Sequence, residues 1–239
     1  MDKAEAKRLV ERSLPNFAKA GLKPLGTPAD IVDVSARAIA SLWAGMGNIY
    51  RLTVKTAAGD SVAIVAKRVD MPDVCDSIGD QRKKDSYDCE AAFYSKGHAE
   101  RCIKAGAMVP HPLYVEQAGR GANVTICMSQ VEGRSSARGD TMAFVEWLAK
   151  LHATYWGKQA DDAVASGLQA QGCYWHLDTR PDEHARMGTS GFMGRLKLAA
   201  RAIDLRLKED PMQSVCHGDA KGANIVYAES GGACVPLVY

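Results

Sequence analysis

The 239 residues carry 30 Lys and Arg against 28 Asp and Glu, a formal charge of +2, with 46% hydrophobic and 24% charged residues. That balance suits a soluble globular protein of one or two domains with a core of its own, and without a long block of one sign it argues against a dedicated nucleic-acid binder. No apolar run approaches the ~18–20 residues that a membrane span needs, and the charged start MDKAEAKRLVERSL lacks a signal-peptide core, which together point to the cytoplasm.

Along the chain, Leu9, Val10, Leu14 and Phe17 recur at helical spacing, so residues 2–20 read as a helix that Pro15 ends or kinks. From Ile49 the period changes to two. Tyr50, Leu52 and Val54 share one face and Arg51, Thr53 and Lys55 the other, as in a half-buried strand. A turn at Ala57-Ala58-Gly59-Asp60 and a second strand, Ser61 to Val69, complete an antiparallel hairpin. The polar segment 70–84 lacks periodicity and reads as a loop, with a helix beginning next, capped by Asp85 and carrying Glu90 and Phe93.

Pro110 and Pro112 stiffen the entry to a strand at 113–115, and 124–128 makes another. The Gly, Ser and Arg-rich stretch after Glu132 is the natural boundary between two lobes. Beyond it Phe144, Trp147, Leu148 and Leu151 mark an amphipathic helix, and another runs from about Phe192 to Leu207. Residues 157–190 show no strong pattern. The seven cysteines, at 75, 89, 102, 127, 173, 216 and 234, have neither a C-x-x-C pair nor zinc spacing and read as reduced thiols.

Three stretches carry chemistry. In HGDAKGAN, Asp219 and Asn224 stand five apart, the interval of the catalytic Asp and metal-binding Asn in the kinase catalytic loop. His-Gly-Asp alone is compatible with a plain turn, but the octapeptide leading into Ile225-Val226-Tyr227 is more specific. Lys67 shares a strand face with Ala63, Val65 and Val69, where an ammonium needs an anionic partner. ATP phosphates would serve, with Glu90 holding the Lys; a solvent-facing strand end is the plain alternative. Gly45 and Gly47 precede the hairpin, where small residues let backbone amides approach phosphate. His152 and His217 read as orienting or core residues.

In this order, the Gly-rich entrance, Lys67, Glu90 and the HGD-x-x-x-x-N loop resemble the choline kinase and aminoglycoside phosphotransferase superfamily, from about residue 40 onward. SYDCEAAFY, HGDAKGAN and WLAKLHATYWG are similar to its CHK-kinase-like, or ecdysteroid-kinase-like, branch. The resemblance implies an α+β, bilobal protein-kinase-like fold: a β-rich N-lobe over 1–131 and a partial helical C-lobe over 132–239. ATP and Mg2+ are the implied cofactors. Gln130, Val131 and Glu132 would form the hinge that meets adenine, Asp219 would be the base, Asn224 a magnesium ligand, and a small-molecule hydroxyl the acceptor.

In such proteins the strand after the loop leads to an Asp-Phe-Gly-like motif whose Asp binds magnesium. VPLVY matches the approach to it, and the sequence stops at Tyr239, which implies a C-terminally truncated phosphotransferase. Two alternatives stay open: a non-catalytic pseudokinase that binds nucleotide or a partner, and a chain whose incomplete C-lobe folds poorly. The acceptor's identity and the oligomeric state leave no mark in the sequence.

Overall fold

A computed structural model describes residues 1–42, 45–72, 76–135, 140–173, 175–230 and 233–238. Trp43, Cys75 and Tyr239 lie outside the described residues, and with Tyr239 the point at which the Asp-Phe-Gly-like motif is expected. So do residues 136–139 of the stretch read as the lobe boundary.

Helix α1 (Lys3–Ser13) starts where the Asp2 carboxylate accepts the Glu5 N–H, and it buries Ala6, Leu9 and Val10. It ends sooner than its periodicity suggests, because Pro15 lies in a 3-10 turn over Leu14–Asn16. Strands β1 (Ile31–Ser41), β2 (Gly47–Thr56) and β3 (Ser61–Val69) follow, then α2 (Ile78–Ser95), α3 (His98–Lys104), β4 (Pro112–Gln117) and β5 (Val124–Ser129). Together the strands form one antiparallel sheet in the order β1-β2-β3-β5-β4. The β2–β3 hairpin closes at the expected turn, where Gly59 N–H donates to the Thr56 carbonyl.

Both faces of this sheet are covered. On one, α1 and Phe17 pack on Leu52, Val54, Ile64, Ala66 and Leu113. On the other, Val69, Val124 and Ile126 meet Ala91 and Tyr94 of α2, and the same cluster continues into the second half through Trp147, Leu151, Tyr155, Ile225 and Tyr227. Each large apolar side chain so covered contributes about 1.5–3 kcal/mol.

The second half is mainly helical: α4 (Thr141–Thr154), α5 (Lys158–Ala165), α6 (Pro181–Arg186) and α7 (Gly191–Lys208) precede the antiparallel pair β6 (Ile225–Ser230) and β7 (Ala233–Val238). Helix α7 buries only Gly194, so Phe192, Leu198 and Leu207 lie open. The α+β class and the kinase-like plan, a β-rich half followed by a helical one, are those that the sequence implies.

Two elements differ from the sequence reading. The segment 70–84 is not a loop throughout: α2 begins at Ile78, capped by Ser77, whose hydroxyl accepts the Asp80 N–H. Asp85 is therefore inside the helix, paired with Arg120, rather than its cap. The first two turns of α2 are polar or charged from Asp80 to Asp85, which leaves no apolar period to reveal them. Strand β1 was not anticipated at all; it is an edge strand, and from Arg37 to Ser41 every residue is exposed.

Candidate active site

Lys67 sits on β3, in the centre of the sheet, opposite Ile49 on β2 and Ile126 on β5. Alternation along the strand sends Lys67 to the face of Val65 and Val69, towards α2. There its ammonium contacts both oxygens of Glu90, at 2.8 and 2.6 Å, with the side chains 19% and 27% exposed. The Tyr87 ring centroid lies 5.2 Å from the same nitrogen. A cation so covered would be costly alone, and the carboxylate and the ring face offset that cost. Burial, and after it the nearby Glu90, push the Tyr87 hydroxyl above its ordinary range, so it stays neutral.

The second cluster is built on the loop between α7 and β6. Ile225 and Tyr227 anchor β6 in the core, and a 3-10 turn over Gly222–Asn224 brings Asn224 back onto Asp219. The Asn224 amide nitrogen donates to the Asp219 backbone carbonyl and to its carboxylate, both at 2.9 Å. That arrangement turns the amide oxygen of Asn224 away from Asp219. Lys221 Nζ lies 2.9 Å from the same carboxylate oxygen. Burial pushes the Asp219 carboxyl up, but the hydrogen bonds from Lys221 and Asn224, with their charge effects, outweigh it and leave the group below the ordinary carboxylate value.

His217 supports this loop from beneath. Its ring meets Trp147 edge-on at 6.1 Å, and its Nδ1 accepts the Asp219 N–H at 3.2 Å. Burial lowers its pKa, while Asp219 and Glu90 work in the opposite sense. It is therefore a neutral acceptor, as the sequence suggested for an orienting residue. Ser214, three residues earlier, ties the loop to α4 by donating to the His152 carbonyl; His152 contributes backbone here.

The connection after β5 runs against β6. Gln130 donates to Glu132 at 2.8 Å, and its Oε1 is buried without a hydrogen-bond partner among the described residues. Val131 follows, half-buried. Gly133 passes so close to β6 that a Cβ would stand 2.6 Å from the Tyr227 carbonyl oxygen, and Arg134 then exchanges backbone hydrogen bonds with Tyr227. Gly45 and Gly47 lie at the β1–β2 turn, where the Leu42 N–H donates to the Gly47 carbonyl. Gly47 has φ +125°, and a Cβ there would fall 2.1 Å from the Arg68 carbonyl oxygen, so glycine is required for close approach to the strand that carries Lys67.

Sequence reasoning missed Tyr87, Lys221 and Gly133. Lys221 had a signal, two residues from Asp219 in the same loop; the others act across the fold and had none. A cavity of about 580 Å3 lies between α6, α7 and residues 171–177, lined by Trp175, His176 and Leu196 among others. It is not lined by Lys67, Glu90, Asp219 or Asn224, and Gly172 and Cys173 separate it from residues 216–218. Among the described residues, no group of three or more His, Cys, Asp or Glu is placed to hold a metal, and no helix is long and apolar enough to cross a membrane.

No protein-family model matches the chain, and no curated protein matches it. Among solved structures it is similar to an aminoglycoside-3'-phosphotransferase of type VIII, with 18% identity, 90% of this chain and 71% of that one covered, and a TM-score of 0.37. A likeness at that level carries no residue's role across.

Proposed function

We propose that this chain is an ATP-dependent phosphotransferase of the choline kinase and aminoglycoside phosphotransferase superfamily, in its CHK-kinase-like branch, acting on a hydroxyl of a small molecule. The observations that carry the reading are the Lys67–Glu90 ion pair, with Lys67 on a central strand, and the loop in which Asn224 is hydrogen-bonded to Asp219 five residues before it. The lobes would meet at residues 131 and 132, with the nucleotide between them.

The residues fit that ligand. Lys67, fixed by Glu90, offers a positive charge to phosphate oxygens without having to be ordered first. Gly45 and Gly47 allow backbone amides near them, and the unpartnered Gln130 oxygen, with the Val131 backbone, suits the edge of a base. Magnesium carried on ATP keeps phosphate and water ligands and needs only one or two protein oxygens, of which the Asn224 amide oxygen, turned away from Asp219, would be one. When bound, it would neutralise charge on the triphosphate. Asp219 would orient the acceptor hydroxyl and take its proton on the carboxylate.

The reading is tested by measuring ADP release from magnesium-ATP across a panel of hydroxyl compounds, including choline-like cations, aminoglycosides and sterols. An acceptor that stimulates ADP release, with the stimulation falling about 10²–10⁴-fold in Asp219→Asn, supports it. Tight nucleotide binding without turnover on any acceptor would instead favour a pseudokinase.

A further inference from the structure

We infer that Asp88 is the positioning residue that sets the Lys67–Glu90 pair, by clamping α2 to the turn between β4 and β5; this rests on the nucleotide site proposed above. The Asp88 side chain is 11% exposed and stands two residues before Glu90 on α2. Both its oxygens accept the Gly121 N–H, at 2.9 and 3.0 Å, and one also accepts from Gln117 Nε2 at 2.5 Å. Arg120 Nε lies 3.6 Å away. A covered carboxylate with two hydrogen-bond donors and an ion-pair partner from one connection fixes both the height and the rotation of the helix.

The same turn holds the other partner's strand. Asn123 Oδ1 accepts the Met71 N–H at 2.7 Å, just past the end of β3, and Val124 pairs with Val69 across the ladder. The carrier of Lys67 and the carrier of Glu90 are thus both fastened to residues 117–124. Positions two apart on a helix point to nearly opposite sides, so Asp88 grips the turn while Glu90 reaches β3. Loss of the grip lets α2 rotate and takes Glu90 away from the ammonium.

The test is a double-mutant cycle read by calorimetric titration with magnesium-ATP, on wild type, Asp88→Ala, Glu90→Gln and the double variant. Asp88→Ala is expected to weaken binding about tenfold, as loss of an orienting partner does, and to add no further loss in the Glu90→Gln background. An unchanged affinity in Asp88→Ala while Glu90→Gln binds weakly overturns the inference and leaves the site standing, as does an equal loss in both backgrounds, which would make Asp88 a general structural residue. If Glu90→Gln binds as wild type does, the proposed site fails and the inference with it. Gln117→Ala removes a donor without touching α2 and supplies the same cycle if Asp88→Ala does not melt cooperatively.

Discussion

Asp219 is subject to two opposing influences: partial burial favours its neutral form, while Lys221 and Asn224 favour the carboxylate. The second wins, so the group is ionised at neutral pH and able to accept a proton. Because its folded value lies below the ordinary 3.8, ionised Asp219 favours the folded state above the unfolded value, and that contribution is lost as pH falls through the folded one. At 60% exposure of the side chain the effect on stability is small. Lys221→Ala is expected to move the acid limb of the kcat/KM profile to higher pH, and a limb that stays in place would show that Lys221 does not set this carboxylate. The Asp219–Asn224 interval was legible because it is a property of the local chain. The partnership of Asp219 with Lys221 depends on how the loop turns back on itself, which spacing alone does not state.

At the scale of elements, α2 carries Glu90 from a start at Ile78, and β6 lies closely against the connection after β5. Ser77→Ala removes the cap of α2 and is expected to cost about 1 kcal/mol, seen as a lower urea midpoint with an unchanged slope. Gly133→Ala places a methyl against the Tyr227 carbonyl and is expected to cost more, since both partners are backbone that must move. A Gly133→Ala variant as stable as wild type would mean that the connection is free to leave β6. The strands β2 and β3 were legible from their alternation, and α4 from its apolar stripe. The start of α2 was not, because Gln81, Lys83 and Asp85 make its opening turns polar, and β1 was not, because an edge strand rich in Ala and Ser has little side-chain contrast between its faces.

Across the whole molecule, one apolar cluster runs from β3 and α2 to α4 and β6, joining the β-rich and helical halves. Histidines are placed within or beside it. His98 lies in the core, with Nδ1 3.0 Å from the Tyr155 hydroxyl and Nε2 2.7 Å from Ser166. The Ser166 hydroxyl donates to the Ala163 carbonyl, so His98 donates from Nε2. Burial, and then Arg101, lower its pKa below the ordinary 6.5, and burial does the same at His111, His176 and His217. The unfolded chain binds these protons first as pH falls below 6.5, so stability declines from there down to the folded values. The melting temperature is expected to drop between pH 6.5 and 5, and to drop less in His98→Gln; equal slopes in the two proteins would remove His98 from the explanation. The order of Lys67, Glu90 and the Asp219 loop was readable from the sequence, whereas the shared core that joins the two halves depends on contacts far apart in the chain.

The most direct measurement is calorimetric titration of ATP, with and without magnesium, into the wild-type chain and into Asp219→Ala/Asn224→Ala. Binding that magnesium strengthens in the wild type, and that loses its magnesium dependence in the double variant, is the predicted result. Absence of binding to either protein, when both melt cooperatively, would contradict the assignment of these residues to a nucleotide site.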